Sequence, residues 1–221
     1  MKYGESIFDI LYLLTALVSG AIILIKNRGI TGKLAGAAVL LLGAGDAFHL
    51  VPRVLNYFVD ADLTFWLGIG KLVTSVTMTV FYVLLYVAGT KLFGIEKNDA
   101  SYPAIAALAI IRIVICLFPQ NGWLKNDGLL YWPIARNVPF AALGIIVIIL
   151  FFKNRNVCKE LKRVWLYVTL SFAFYLPVAI LASFFPMLGM LMLPKTVCYV
   201  LIIIAFLRFS FQSCKTDKSN I

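Results

Sequence analysis

The chain has 221 residues, 62% of them hydrophobic and only 14% charged, with a mean hydropathy of +0.95 and a formal net charge of +10. A soluble domain carries about 25% charged residues, so the composition excludes a soluble globular protein and fits a polytopic helical membrane protein. The positive charge is not a nucleic-acid signature, because most of it sits at the ends of apolar segments and no basic arm or soluble module accompanies it.

Seven apolar segments follow in chain order, each near the roughly 20 residues a bilayer requires: 7–25, 34–58, 63–91, 102–119, 129–152, 161–185 and 189–208. An all-α, seven-transmembrane-helix bundle in a single domain over residues 1–221 is therefore expected, with no room left for an extramembrane domain. The first segment reads as a retained helix. Its apolar run exceeds the roughly 7–15 residues of a signal-peptide core, and the stronger charge, Lys26 and Arg28, follows it. The second carries Gly45-Asp46-Ala47-Phe48-His49-Leu50-Val51-Pro52-Arg53, which places an acid, the chain's single histidine and an arginine inside an apolar stretch. The third spaces Lys71, Ser75, Thr79, Tyr82 and Tyr86 along one helical face. The fourth holds Arg112 and ends at Pro119-Gln120, the fifth holds Arg136, the sixth Tyr167, Ser171 and Tyr175, and the seventh Lys195 and Tyr199.

The loops predict an orientation. Thirteen basic residues fall on one side: Lys26, Arg28 and Lys33, then Lys91 and Lys97, then Lys153, Arg155, Lys159, Lys162 and Arg163, then Arg208, Lys215 and Lys218. The other side has Lys2 and Lys125, with Asp60, Asp62 and Asp127. This bias predicts the N-terminus outside and the C-terminus in the cytoplasm, and a bacterial plasma membrane suits the small size and bare loops. Trp66, Trp123 and Trp132 then fall at the outer interface and Trp165 at the inner one. None of the four cysteines lies in a predicted outer segment, so no disulfide framework is expected.

Five cations remain inside the segments, Arg53, Lys71, Arg112, Arg136 and Lys195, together with Asp9 and Asp46. A charge in hydrocarbon costs about 2.5–3.5 kcal/mol on insertion scales and marks a functional position. All seven map to the middle or outer half of their helices, while the inner halves are nearly uninterrupted apolar runs. This sorting predicts a polar cavity open to the outside and closed toward the cytoplasm. Arginine suits planar bidentate anions such as carboxylate and phosphate. The expected function is binding or transport of an anionic ligand, a lipid headgroup, phosphate or carboxylate, through Arg53, Lys71, Ser75, Arg112, Arg136, Tyr175 and Lys195.

An alternative is a metal-independent intramembrane enzyme on a lipid headgroup, with Asp46 and His49 as acid and base. The plainer expectation for that pair is structural, with Asp46 tying helix two to Lys71 or Arg112. Ser75 as a nucleophile lacks any surrounding elbow motif, and membrane serines more often bond their own backbone. A third reading is a sensor or partner-binding protein using the basic 153–163 loop. Partners are expected to be membrane lipids and an anionic small molecule, not nucleic acid.

Three resemblances are partial. Pro119-Gln120 resembles the proline–glutamine pair of the sugar-exporter (SWEET) folds, which would imply two related three-helix halves, yet no second copy occurs. Lys195 is similar in placement to the retinal-binding lysine of microbial rhodopsins, but the acid those proteins carry one turn earlier is Leu191 here. The seven-helix zinc hydrolases that include alkaline ceramidases use three histidines, and this chain has one. No metal or other cofactor is expected.

Overall fold

The computed structural model describes residues 2–27, 29–95, 101–124, 131–182 and 184–219, with the backbone alone at Pro186 and past Gln212. Arg28, Lys97, Lys125 and Asp127 of the loop argument lie outside the described residues, as do the side chains of Cys214, Lys215 and Lys218.

Seven α-helices make up the described chain: α1 Lys2–Lys26, α2 Ile30–Leu55, α3 Thr64–Leu92, α4 Ser101–Leu117, α5 Tyr131–Lys153, α6 Val164–Leu181 and α7 Met192–Ser219. Two 3-10 turns, Pro119–Asn121 and Pro186–Leu191, follow α4 and precede α7. Six helical stretches are long and apolar enough to cross a membrane: Lys2–Lys26, Ile30–Leu55, Thr64–Leu92, Tyr131–Lys153, Val164–Leu181 and Met187–Gln212. The chain is a helical, multi-pass membrane protein on that basis. At 17 residues α4 falls just short of the same length.

Local chemistry sets the boundaries, and several differ from those expected. The fourth segment was expected to run to 119. A residue before proline is driven out of the helical region, and Phe118 is extended, with ψ 133°, so α4 ends at Leu117. The sixth is expected over 161–185, but the Phe184 and Phe185 N–H groups both donate to the Leu181 carbonyl, closing a turn, and the helix runs Val164–Leu181. The seventh continues to Ser219 rather than 208, because neither glycine nor proline interrupts 195–219. At the end of α1, Asn27 turns its side chain back. Its Nδ2 donates to the Ile23 carbonyl at 2.8 Å and to Ser210 Oγ of α7 at 2.5 Å.

Each helix packs on its sequence neighbours, α7 returns to α1 to close the ring, and α3 leans across to α5. Short links make successive helices antiparallel. The half of the bundle toward Lys26, Lys91 and Lys153 is filled with side chains: Leu85, Tyr86, Leu143, Val147, Phe151, Ile202 and Phe206 are all buried. An aromatic layer caps this half. Tyr82 lies 5.3 Å from both Phe140 and Phe172, those two lie 4.9 Å apart, and Tyr199 meets Phe81 edge-on at 6.1 Å. Hydrogen bonds between helices run through this packing, from Tyr82 to Ser171 at 3.2 Å and from Tyr102 OH to Thr90 Oγ1 at 2.6 Å. In an apolar surrounding such pairs hold helices together where hydrophobic burial alone supplies little.

Candidate ligand cavity

The opposite half of the bundle opens into a cavity of about 820 Å³. It is lined from the start of α1, the end of α2, the start of α3, the turn after α4, the start of α5, the end of α6 and the start of α7. Every contributing segment thus comes from one end of the antiparallel bundle. A smaller space of about 40 Å³, lined by Thr74, Ser75, Met78, Arg112, Phe140, Tyr175 and Lys195, adjoins it toward the aromatic layer. Four of the five cations singled out in the sequence, Arg53, Lys71, Arg136 and Lys195, face the main cavity, and Arg112 faces the smaller one. Asp46, His49, Ser75 and Tyr175 face the main cavity as well.

Two close backbone contacts build the walls. A Cβ on Gly70 would lie 2.2 Å from the Phe48 carbonyl oxygen and 2.7 Å from His49 Cα, so α3 rests directly on the backbone of α2 at the histidine. Thr74 Oγ1 extends this contact by donating to the Gly45 carbonyl at 3.1 Å. A Cβ on Gly68 would lie 1.6 Å from the Trp123 carbonyl oxygen, so the turn after α4 lies flat on α3. That turn then holds Arg136. Asn121 Nδ2 donates to the Ile115 and Phe118 carbonyls at 2.7 and 3.0 Å, and Trp123 Nε1 donates to the Cys116 carbonyl at 2.8 Å, which satisfies the end of α4. Asn121 Oδ1 accepts from Arg136 Nη1 at 2.9 Å, and the guanidinium lies over the Trp123 ring at 4.5 Å. Sequence reasoning missed Asn121 and Trp123 as partners of Arg136. An asparagine just after a helix-ending proline was the available signal.

The deeper cations sit on aromatic faces. Arg112, 1% exposed, lies over the Phe140 ring at 3.2 Å, and its Nε and Nη1 are buried without a hydrogen-bond partner. Lys195 lies over the rings of Tyr175 and Tyr199 at 4.8 and 5.3 Å. Such cation–π contacts hold a positive charge without neutralising it. Tyr175 is itself fixed, donating to Asn137 Oδ1 at 2.9 Å.

Several expectations need correction. Arg53 is paired with Glu5, and Tyr57 OH donates to the other Glu5 oxygen at 2.9 Å, so Arg53 does not stand as an open anion site. Glu5 lies before the first apolar segment, 7–25, yet faces the cavity, so the acids there among the described residues are Glu5, Asp9 and Asp46. Asp46 is tied not to Lys71 or Arg112 by a salt bridge but to Tyr12, whose OH donates to Asp46 Oδ2 at 2.6 Å. The polar face of α3 divides by depth. Lys71 and Ser75 reach the cavity, whereas Thr79, Tyr82 and Tyr86 are buried in the core. Ser75 Oγ donates to the Lys71 carbonyl at 2.8 Å, the ordinary behaviour of a membrane-helix serine.

Charge within the cavity is consequently segregated. Among the described residues, the carboxylates lining it, Glu5, Asp9 and Asp46, come from α1 and α2. Apart from Arg53, the cations come from α3, α4, α5 and α7. His49 stands near the seam, with Nδ1 buried and unpartnered, as is Oδ2 of Asp9. Among the described residues no group of three metal-ligating side chains is present. The chain matches no protein-family model, no curated protein and no solved structure.

Proposed function

We propose that this protein binds or transports a ligand bearing an anionic group, a lipid headgroup, a phosphate or a carboxylate, in an outward-facing intramembrane pocket. All seven helices cross the membrane in this reading, α4 at the lower limit of length, with the N-terminus outside and the C-terminus cytoplasmic. The orientation rests on basic residues such as Lys33, Lys153, Arg155 and Lys159, at the end of the bundle away from the cavity. The observation that carries the ligand class is the positive wall. Lys195 and Arg136 are held in place by aromatic rings and a neutral amide, and a buried Arg112 with two unused donors stands behind them. A guanidinium held in place before binding loses little freedom when it takes a carboxylate or phosphate.

The test is thermal unfolding of the purified protein in detergent with rising sodium phosphate or sodium acetate, against sodium chloride at equal ionic strength. Stabilisation by either anion is expected, and Arg136→Gln should abolish it. Equal responses in the wild-type protein and in Arg112→Glu/Arg136→Glu, with the variant shown to be folded, would refute the reading.

A second reading, chemistry on a lipid headgroup with Asp46 as acid and His49 as base, has one supporting observation: both residues face the cavity, and His49 Nδ1 has no other partner. Turnover of outer-leaflet lipid that His49→Ala abolishes while binding persists would favour it.

A further inference from the structure

The cavity has two kinds of wall, and their order in depth carries a narrower reading of the ligand. Along α6, Tyr175 lies deep, and Val178, Ala179 and Ala182 succeed it toward the mouth. Along the approach to α7, Met190 and Leu193 lie toward the mouth and Lys195 is deeper. One side of the cavity is therefore cationic at its floor and apolar above. The described residues beyond that wall are apolar too. Residues 176–194 contain no charged side chain, and Phe184, Phe185 and Met187 in the connection are 61%, 61% and 81% exposed. Exposed apolar side chains on such a turn fit the membrane interface better than water. Size points the same way. A space of about 820 Å³ lies in the range that holds a whole organic ligand and far exceeds one inorganic anion.

We infer that the ligand is an amphiphile with a single anionic head, the head resting at Lys195 and Arg136 and its alkyl chain lying along Val178, Ala182 and Leu193 toward the lipid. The inference rests on the proposed anion-binding pocket and narrows it. A free metabolite would leave the apolar wall facing water. A neutral lipid would leave Arg136 with only a neutral amide and an indole face, and the unpartnered Arg112 nitrogens behind it unanswered.

The experiment uses the full chain in amphipol and isothermal titration calorimetry with four probes below their micellar concentrations: acetate, inorganic phosphate, dodecanoate and dodecyl phosphate, with dodecanol as the uncharged control. The dodecyl anions should bind more tightly than their short counterparts, by up to about fourfold for each methylene that contacts the wall. Lys195→Gln should weaken them at least tenfold. Ala179→Trp, which fills the apolar wall, should remove most of the gain from the chain. If acetate or phosphate binds as tightly as its dodecyl counterpart, the amphiphile inference fails and the anion pocket stands. If dodecanol binds as tightly as dodecanoate, the inference also fails, because the head then contributes nothing. If no anion binds, or binding is untouched by both Lys195→Gln and Arg136→Gln, both the inference and the pocket reading fail.

Discussion

Tyr12 and Asn121 each complete a charged neighbour on another helix, 34 and 15 residues along the chain, and each makes a prediction. Tyr12 is 2% exposed and gives Asp46 its hydrogen bond. Tyr12→Phe leaves a buried carboxylate short of a donor, which costs about 1–3 kcal/mol and should lower the thermal midpoint in detergent. An unchanged midpoint would show that Asp46 does not depend on Tyr12. Asn121 acts twice, closing the carbonyls of α4 and holding Arg136. Asn121→Ala should destabilise the fold by about 1–2 kcal/mol and also weaken phosphate-dependent stabilisation. Loss of stability with full anion response would separate the two roles. The Tyr12–Asp46 pair could not be read from the sequence. Tyr12 and Asp46 are 34 residues apart, Arg53 and Glu5 are 48 apart, and nothing in the local pattern of one names the other. The cations themselves were legible, because a charge inside an apolar run is conspicuous.

Among the helices, the decisive contacts are those without side chains. Gly68 and Gly70 let α3 touch the turn after α4 and the backbone of α2, and any Cβ there meets backbone atoms that have nowhere to move. Gly68→Ala and Gly70→Ala should each cost about 1–3 kcal/mol by overpacking. Gly4 and Gly29 have open space around them. Alanine at those two should change the midpoint by no more than about 0.5 kcal/mol equivalent. Equal effects at all four would contradict the packing. Periodicity located every helix, since apolar length and proline positions are properties of the chain alone. It failed where depth decides. Tyr82 and Tyr86 share a face with Lys71 and Ser75, yet lie in the packed half, where they hydrogen-bond Ser171 and Ser101. A helical wheel records angle and not height.

For the whole molecule, the orientation has a native probe. Cys158 lies in the link between α5 and α6 at the basic end, partly exposed, and Cys116 and Cys198 are buried. In the N-outside orientation, a membrane-impermeant maleimide should label Cys158 in inverted vesicles and not in intact cells. The reverse would overturn the topology. A serine at Cys158 removes the signal and controls for Cys214. Burial and the nearby Glu160 carboxylate raise the Cys158 thiol above its ordinary pKa, so the thiolate is scarce at neutral pH. Labelling should be slow at pH 7 and quicken as the pH rises beyond 9. The expected clustering of cations at one end was legible because a multi-pass chain alternates direction, so position within each segment translates into height. Which carboxylates share that end with them was less so, as Glu5 shows.

Among the described residues, the packed half beneath Tyr82, Phe140 and Phe172 closes the cavity on the side toward Lys26 and Lys153. If the proposed pocket binds its ligand, a rigid body of this shape would exchange it from the cavity end, and its occupancy would report what is present at that end. Passage to the far side requires that aromatic layer to part, and each ring is wedged edge-on or tilted against its neighbours. Carriage across the membrane would therefore be slow relative to filling and emptying at the mouth. Of the activities open to this architecture, detection of what lies on one side demands the least motion.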